Sequence, residues 1–147
     1  MLWLGKAESL DYIIERYAAQ AAGTPLADDP LVLDWYGKLV IDAVALKVLG
    51  YRAVVAASQG RDVAAQSILK LFGSEAVQTA LGAAADSLGP AALDRRSKIG
   101  PFNPLGIDEM RNSWFERYIR SFSNTIAGGT SEIQRNIIGE RVLGLPR

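Results

Sequence analysis

Residues Ala127-Gly128-Gly129-Thr130-Ser131-Glu132 set two adjacent glycines directly before a helix signal. The first N–H groups of a helix have no partner within it and carry partial positive charge. Glycine lets a ligand approach such backbone closely, because no Cβ stands in the way. The pattern can therefore hold an oxyanion, a carbonyl oxygen or a ring edge, with the Thr130 and Ser131 hydroxyls alongside. On its own it also fits a tight turn between two helices. The basic residues Arg95, Arg96 and Lys98 could meet a phosphate or simply form a solvated loop.

Other chemistry is restricted by what the chain lacks. It has no histidine and no cysteine. A Ser-His-Asp triad cannot be built, thiolate chemistry is absent, and a zinc or iron site is not expected. Any acid–base step would fall to Asp, Glu, Lys or Tyr. Lysine plus arginine and aspartate plus glutamate each number 16, for a formal net charge of zero. That balance argues against nucleic acid as a partner, because phosphate neutralisation needs a basic excess. No apolar run approaches the roughly 20 residues that cross a bilayer. The opening MLWLGKAESL has no small-residue cleavage site, which argues against a signal peptide. Cysteine-free composition suits a reducing cytoplasm.

The elements that must carry the glycine corner are helical throughout. A length of 147 residues with 49% hydrophobic content suits one domain with a real core. Leu10, Ile13, Ile14 and Tyr17 share one face of a first helix, from about Leu4 to Ala21, which Gly23 and Pro25 end. Asp29 as N-cap and Pro30 at the first helical position open a second helix running to about Ser58, roughly 40 Å long. Its apolar residues are read as Leu33, Tyr36, Val40, Val44 and Tyr51, with Asp42 and Lys47 on a solvated stripe. A third helix spans about Arg61 to Leu88, with Ile68, Leu71, Phe72 and Ala76 on one face. Glycines and prolines then make an irregular stretch from Leu88 to Gly106.

A fourth helix is expected from near Asp108. Its core stripe is Met110, Trp114, Tyr118 and Phe122, widened by Phe115 and Ile119. Gly128 and Gly129 stop it. A short last helix follows, capped by Thr130 and Ser131, with Gln134 completing a capping box from Ser131, and it ends at Gly144 and Pro146. No strand pattern or internal repeat is present. The expected fold is all-α, an antiparallel up-down bundle of four long helices plus a short C-terminal helix.

The ending AGGTSEIQRNIIGERVLGLPR resembles the C-terminal signature of the acyl-CoA dehydrogenase family. SILKLFGSEAVQTALGAAADSLG resembles that family's third bundle helix, and GTPLADDP its first helix–helix corner. The resemblance covers residues 1–147 and corresponds to the family's C-terminal helical domain, without its N-terminal helical and middle β domains. It implies an FAD-dependent α,β-dehydrogenation of an acyl-CoA thioester, with an electron-transfer partner and a homo- or hetero-oligomer of such subunits. It also implies a backbone N–H at Gly128 that polarises the thioester carbonyl as enolate charge develops. Gly129, Thr130 and Glu132 would lie against the flavin's ADP portion.

Departures from the family pattern are equally specific. Many members carry the catalytic Glu where this chain has Gly128, and others supply the base from a segment that would precede Met1. No residue here is expected to act as the α-proton base, and the fragment alone is expected to be inactive. The family's Arg-x-x-Phe-Gly at the end of the first helix, which serves a neighbouring subunit's flavin, reads Ala19 and Ala22 before Gly23. Its Gln-x-x-Gly-Gly after the third helix reads Asp86, Gly89 and Pro90. Losing the arginine removes a cation and a fork of donors, and an aspartate is ill placed beside a pyrophosphate. Two origins fit these losses: a half-active or non-catalytic subunit of a mixed oligomer, or a helical scaffold that binds no flavin.

Overall fold

A computed structural model describes residues 2–60, 64–94 and 113–146. Five α-helices make up the fold: α1 (Leu2–Ala21), α2 (Pro30–Ser58), α3 (Ala64–Leu88), α4 (Trp114–Ile126) and α5 (Ser131–Arg141). No strand occurs among the described residues, and the bundle is the all-α one expected. Arg61, the segment Arg95–Lys98, Asp108 and Met110 lie outside the described residues.

The first two helices follow their sequence signals. Leu10, Ile13 and Tyr17 are each at most 2% exposed, as their helical spacing requires. Gly23, at φ +74°, ends α1 in the left-handed region, where glycine alone carries no Cβ penalty. Thr24 then donates its hydroxyl to the Ala21 carbonyl and accepts from Leu26 N–H in a 3-10 turn over Pro25–Asp28. Asp29 Oδ1 accepts from Leu31 N–H at 2.8 Å, and Pro30 opens α2.

α2 faces the bundle differently from the expectation. Its buried residues are Val32, Leu39, Ala43, Leu46 and Gly50. Leu33, Val40, Val44 and Tyr51 point outward, and Tyr36 alone of the expected set packs inward, donating its hydroxyl to Ile14 O at 3.2 Å. The physical reason is that α2 is apolar on both sides, so periodicity could not choose between them. Lys47 stays partly solvated, as expected, and is also paired. It meets Asp11 of α1 at 2.7 Å, with both side chains about two-fifths exposed. Such a pair contributes at most ~1 kcal/mol and mainly fixes the register of α1 against α2.

α3 is the central element and touches each of the other four helices. Its small residues allow this. Ala76, Ala80, Ala84 and Ala85 are buried. At Gly82 a Cβ would stand 3.0 Å from the Tyr118 ring, so α4 lies on α3 through a missing side chain. Close backbone approach leaves dispersion contacts, not bulky side chains, to hold these helices.

α4 is shorter than expected and turned. Ser113 is extended and caps the helix: its Oγ accepts from Glu116 N–H while Glu116 Oε2 accepts from Ser113 N–H, a complete capping box. Trp114 is 1% exposed and Tyr118 is half-buried, as the expected stripe has them. Phe115, Ile119 and Phe122 instead face outward, and buried Ser121 takes their place inside. Ser121 is tolerated there because its hydroxyl donates back to Tyr118 O.

An aromatic cluster closes one end of the bundle. Tyr17 lies edge-on to Trp35 at 4.6 Å and to Trp114 at 6.2 Å. Trp114 Nε1 donates to Gln20 Oε1 at 2.6 Å, and Tyr17 and Ser87 share a hydroxyl hydrogen bond at 2.8 Å. These bonds satisfy the polar tips of Tyr17 and Trp114, whereas the buried Trp35 Nε1 meets no hydrogen-bond partner. Burial raises the Tyr17 pKa above 10, with the Ser87 bond opposing and Asp29 adding to the shift. A folded-state pKa raised above the unfolded value favours the fold below pH ~10 and loses that support as pH rises through the folded value.

The orientation of α2 is checked directly by substitution. Leu46→Ala, at a fully buried position, is expected to lower the unfolding free energy by about 2–5 kcal/mol. Leu31→Ala, at a position 79% exposed, is expected to change it by less than about 0.5 kcal/mol in the same denaturant titration.

Candidate functional site

The glycine corner between α4 and α5 is built by left-handed backbone. Gly128 has φ +73° and Gly129 φ +100°, a region that side-chain-bearing residues rarely adopt. A Cβ on Gly128 would meet nothing within 4 Å, so this position faces open space. A Cβ on Gly129 would stand 2.7 Å from Gln134 Nε2. Gly128 is thus glycine for its backbone conformation, and Gly129 for both conformation and room.

Two side chains support the corner from below. Gln134, 6% exposed, donates from Nε2 to Gly128 O at 2.9 Å. Lys70 of α3 donates from Nζ to Gly129 O and, at 3.3 Å, to Thr125 O. Thr125 lies in the last turn of α4, whose carbonyls have no helical partner, so a cation there also answers the helix dipole. Hydrogen bonds from a charged donor contribute about 1.5–3 kcal/mol. Arg135 reaches Glu75 of α3 at 2.6 Å and fastens α5 against the same helix.

The cap of α5 corrects the sequence reading. Thr130 is the N-cap, and its Oγ1 accepts from Ile133 N–H at 3.3 Å. Ser131 is the first helical residue, buried, with an Oγ that meets no hydrogen-bond partner. Gln134 does not complete a box with Ser131, because its amide is engaged by Gly128. Among the described residues, the N–H groups of Gly128, Gly129 and Thr130 donate to no carbonyl or side chain.

The candidate cofactor residues fall into two groups. Gly129, Thr130 and Glu132 belong to the corner. Glu132 is exposed and lies 3.9 Å from Arg135. Asp86 and Gly89 lie at the far end of α3, where Gly89 at φ +54° begins a 3-10 turn to Leu93. The Tyr17–Ser87 bond brings the end of α1, with exposed Ala19 and Ala22, to that same end. Lys70, nearly two turns into α3, and Ser87, near its end, lie about 25 Å apart by helical rise.

The chemistry of the two ends differs. The corner offers free N–H groups, left-handed glycines and no Cβ in the way, which suits a carbonyl oxygen or an anionic cofactor group. Those donors have the chemistry that a flavin or thioester oxygen would need. The far end presents Asp86 exposed and Asp29 near enough to act on Tyr17, with alanines where a cation would serve. It does not fit a pyrophosphate. No group of three or more metal-binding side chains occurs among the described residues, and no helix there is long and apolar enough to cross a membrane.

Residues 1–143 match the model of the acyl-CoA dehydrogenase C-terminal domain, and the chain belongs to that family. It is 36% identical to the acyl-CoA dehydrogenase IpdE1 of Mycobacterium tuberculosis over 133 residues, which is 86% of this chain and 30% of that protein. It is 30% identical to the acyl-CoA dehydrogenase FadE26 of the same organism over 131 residues, 86% of this chain and 31% of that protein. Among solved structures, the ChsE4–ChsE5 complex of M. tuberculosis aligns with a TM-score of 0.74 at 28% identity, over 96% of this chain and 36% of that one. The FAD complex of PigA aligns with a TM-score of 0.69 at 25% identity, over 95% and 33%. The chain spans about a third of the length of these relatives.

Sequence reasoning found the corner but missed the residues that hold it. Lys70 interrupts the apolar run SILKLF, and a lone charge there signals a head group with a partner. Ser113 and Glu116 carry the S-x-x-E box that fixes the start of α4. Gly129→Ala is expected to destabilise the chain more than Gly128→Ala in thermal unfolding. The second pays only left-handed strain of about 1–2 kcal/mol, while the first also displaces Gln134.

Proposed function

We propose that this chain is the C-terminal domain of an FAD-dependent acyl-CoA dehydrogenase, where it supplies oligomer contacts and part of the flavin and thioester site. The open corner carries the reading: its N–H groups are free, and Gly128 faces open space. Bound FAD would accept a hydride from the β-carbon of the acyl chain. The chain's own share is electrostatic. The Gly128 N–H would donate to the thioester carbonyl oxygen, and Gly129 and Thr130 would present theirs to the cofactor. A preorganised donor aimed at developing negative charge is worth several kcal/mol in such reactions. Gly128 has no carboxylate to take the α-proton, and Glu132 is exposed and beside Arg135, so the base comes from outside these residues.

The far end favours a mixed assembly. Ala19, Ala22 and Asp86 cannot hold a neighbour's pyrophosphate, so this domain completes its own flavin site but not its neighbour's. The ChsE4–ChsE5 relative is a complex of two different proteins, which supports such pairing here. Outward apolar residues supply surfaces for assembly: Val40, Val44, Val48, Tyr51 and Val55 on α2, and Phe115, Ile119, Phe122 and Ile126 on α4. The same acidic far end keeps a second reading in play, a non-catalytic scaffold subunit that binds no flavin.

Co-purification of the full-length parent with candidate partner subunits, followed by visible absorbance, separates these readings. Fewer than one flavin per chain in a mixed oligomer is expected. One per chain in a homo-oligomer contradicts the half-site, and a colourless oligomer supports the scaffold. Val44→Asp is expected to lower the oligomer mass in light scattering. The 147-residue chain alone is expected to show no acyl-CoA-dependent reduction of an electron acceptor, and measurable turnover contradicts that.

A further inference from the structure

We infer that Lys70 and Gln134 are positioning residues that aim two consecutive peptide groups of the glycine corner outward. The inference rests on the proposed flavin and thioester site, because it concerns the N–H groups that site uses. A trans peptide points its C=O and its N–H in opposite directions, and no cis peptide occurs among the described residues. Gln134 draws the Gly128 carbonyl toward the bundle, so the N–H of Gly129 in the same peptide is turned away from it. Lys70 draws the Gly129 carbonyl inward, so the N–H of Thr130 is turned away. Two donors are thereby presented side by side, with no hydrogen-bond acceptor among the described residues.

Three independent features point to this role. Lys70 reaches across from α3 to both sides of the corner, bonding Thr125 O before it and Gly129 O within it. Gln134 is buried directly under Gly129, in the space that a Cβ would need. The left-handed conformation of both glycines leaves the corner without helical hydrogen bonds of its own, so its peptide planes would otherwise rotate freely. An electrostatic donor contributes to a reaction only if its orientation is set before the substrate arrives. A lysine is suited to the task, since three N–H directions let one ammonium hold two carbonyls.

The test uses 15N relaxation of the 147-residue chain, which needs no flavin. In Lys70→Met, backbone order parameters at Gly129 and Thr130 are expected to fall from about 0.85 to below about 0.6, with the rest of α3 unchanged. Lys70→Arg, which keeps a cation with several donors, is expected to restore them. If Lys70→Met does not fold, Gln134→Met carries the same test on the shorter α5, with the loss centred on Gly129. Unchanged order at the corner in a folded variant overturns the inference, as does an Arg variant no better than Met.

A second readout separates this inference from the function it rests on. In the parent, Lys70→Met is expected to weaken flavin binding at least tenfold, because the Thr130 N–H it orients faces the cofactor, while KM for acyl-CoA at saturating flavin moves less than threefold. An equal loss in both, or a change in KM alone, overturns the positioning role. A parent that binds no flavin refutes the proposed function and leaves the relaxation result to decide the ordering of the corner.

Discussion

One ammonium group ties the last turn of α4 to the corner that follows it. Lys70 stands on the helix that every other helix touches, and its head group answers carbonyls on either side of the chain reversal. The reversal has no helical bonds of its own. Its shape is therefore borrowed from α3, and any displacement of α3 is passed to the N–H groups of the corner. The Glu75–Arg135 pair makes a second tie from α3 to α5, so the helix after the corner is held by the same support.

That support depends on small residues. Gly82 and the alanines from Ala76 to Ala85 let α1, α2 and α4 approach α3 closely. Two regions along α3 then meet different needs. One carries the corner, with free donors and a cation behind it. The other carries the Tyr17, Trp35 and Trp114 cluster, in which Tyr17 and Trp114 have bonded polar tips and the buried Trp35 Nε1 has none, and an exposed carboxylate at Asp86. The two regions of a single domain thus differ in the chemistry they present.

Much of this was legible in the amino-acid sequence wherever a local rule acted alone. Asp29-Pro30 marks the start of α2, and Gly23 the end of α1, because capping and left-handed backbone are settled by a few neighbouring residues. The face of α2 was not legible. Leu39 and Leu46 are buried while Val40 and Val44 are exposed, and only the placement of α1 and α3 distinguishes them. The same holds for Phe115 and Phe122 on α4, apolar residues that the fold leaves exposed although Phe122 meets the Tyr118 ring edge-on. At the corner, the glycines announced an opening for a ligand. The hands that shape it, Lys70 at a distance of 59 residues and Gln134 disguised as a cap, belong to tertiary structure.

The most direct measurement is amide hydrogen–deuterium exchange across residues 127–131 of the full-length parent, with and without bound flavin and a non-reactive acyl-CoA analogue. Slowed exchange at Gly128, Gly129 and Thr130 on loading, with no comparable change at Asp86 and Gly89, is the expected result. Unchanged exchange at the corner in a parent that does bind flavin and analogue contradicts the account, because the ligands would then be held without the donors this corner presents.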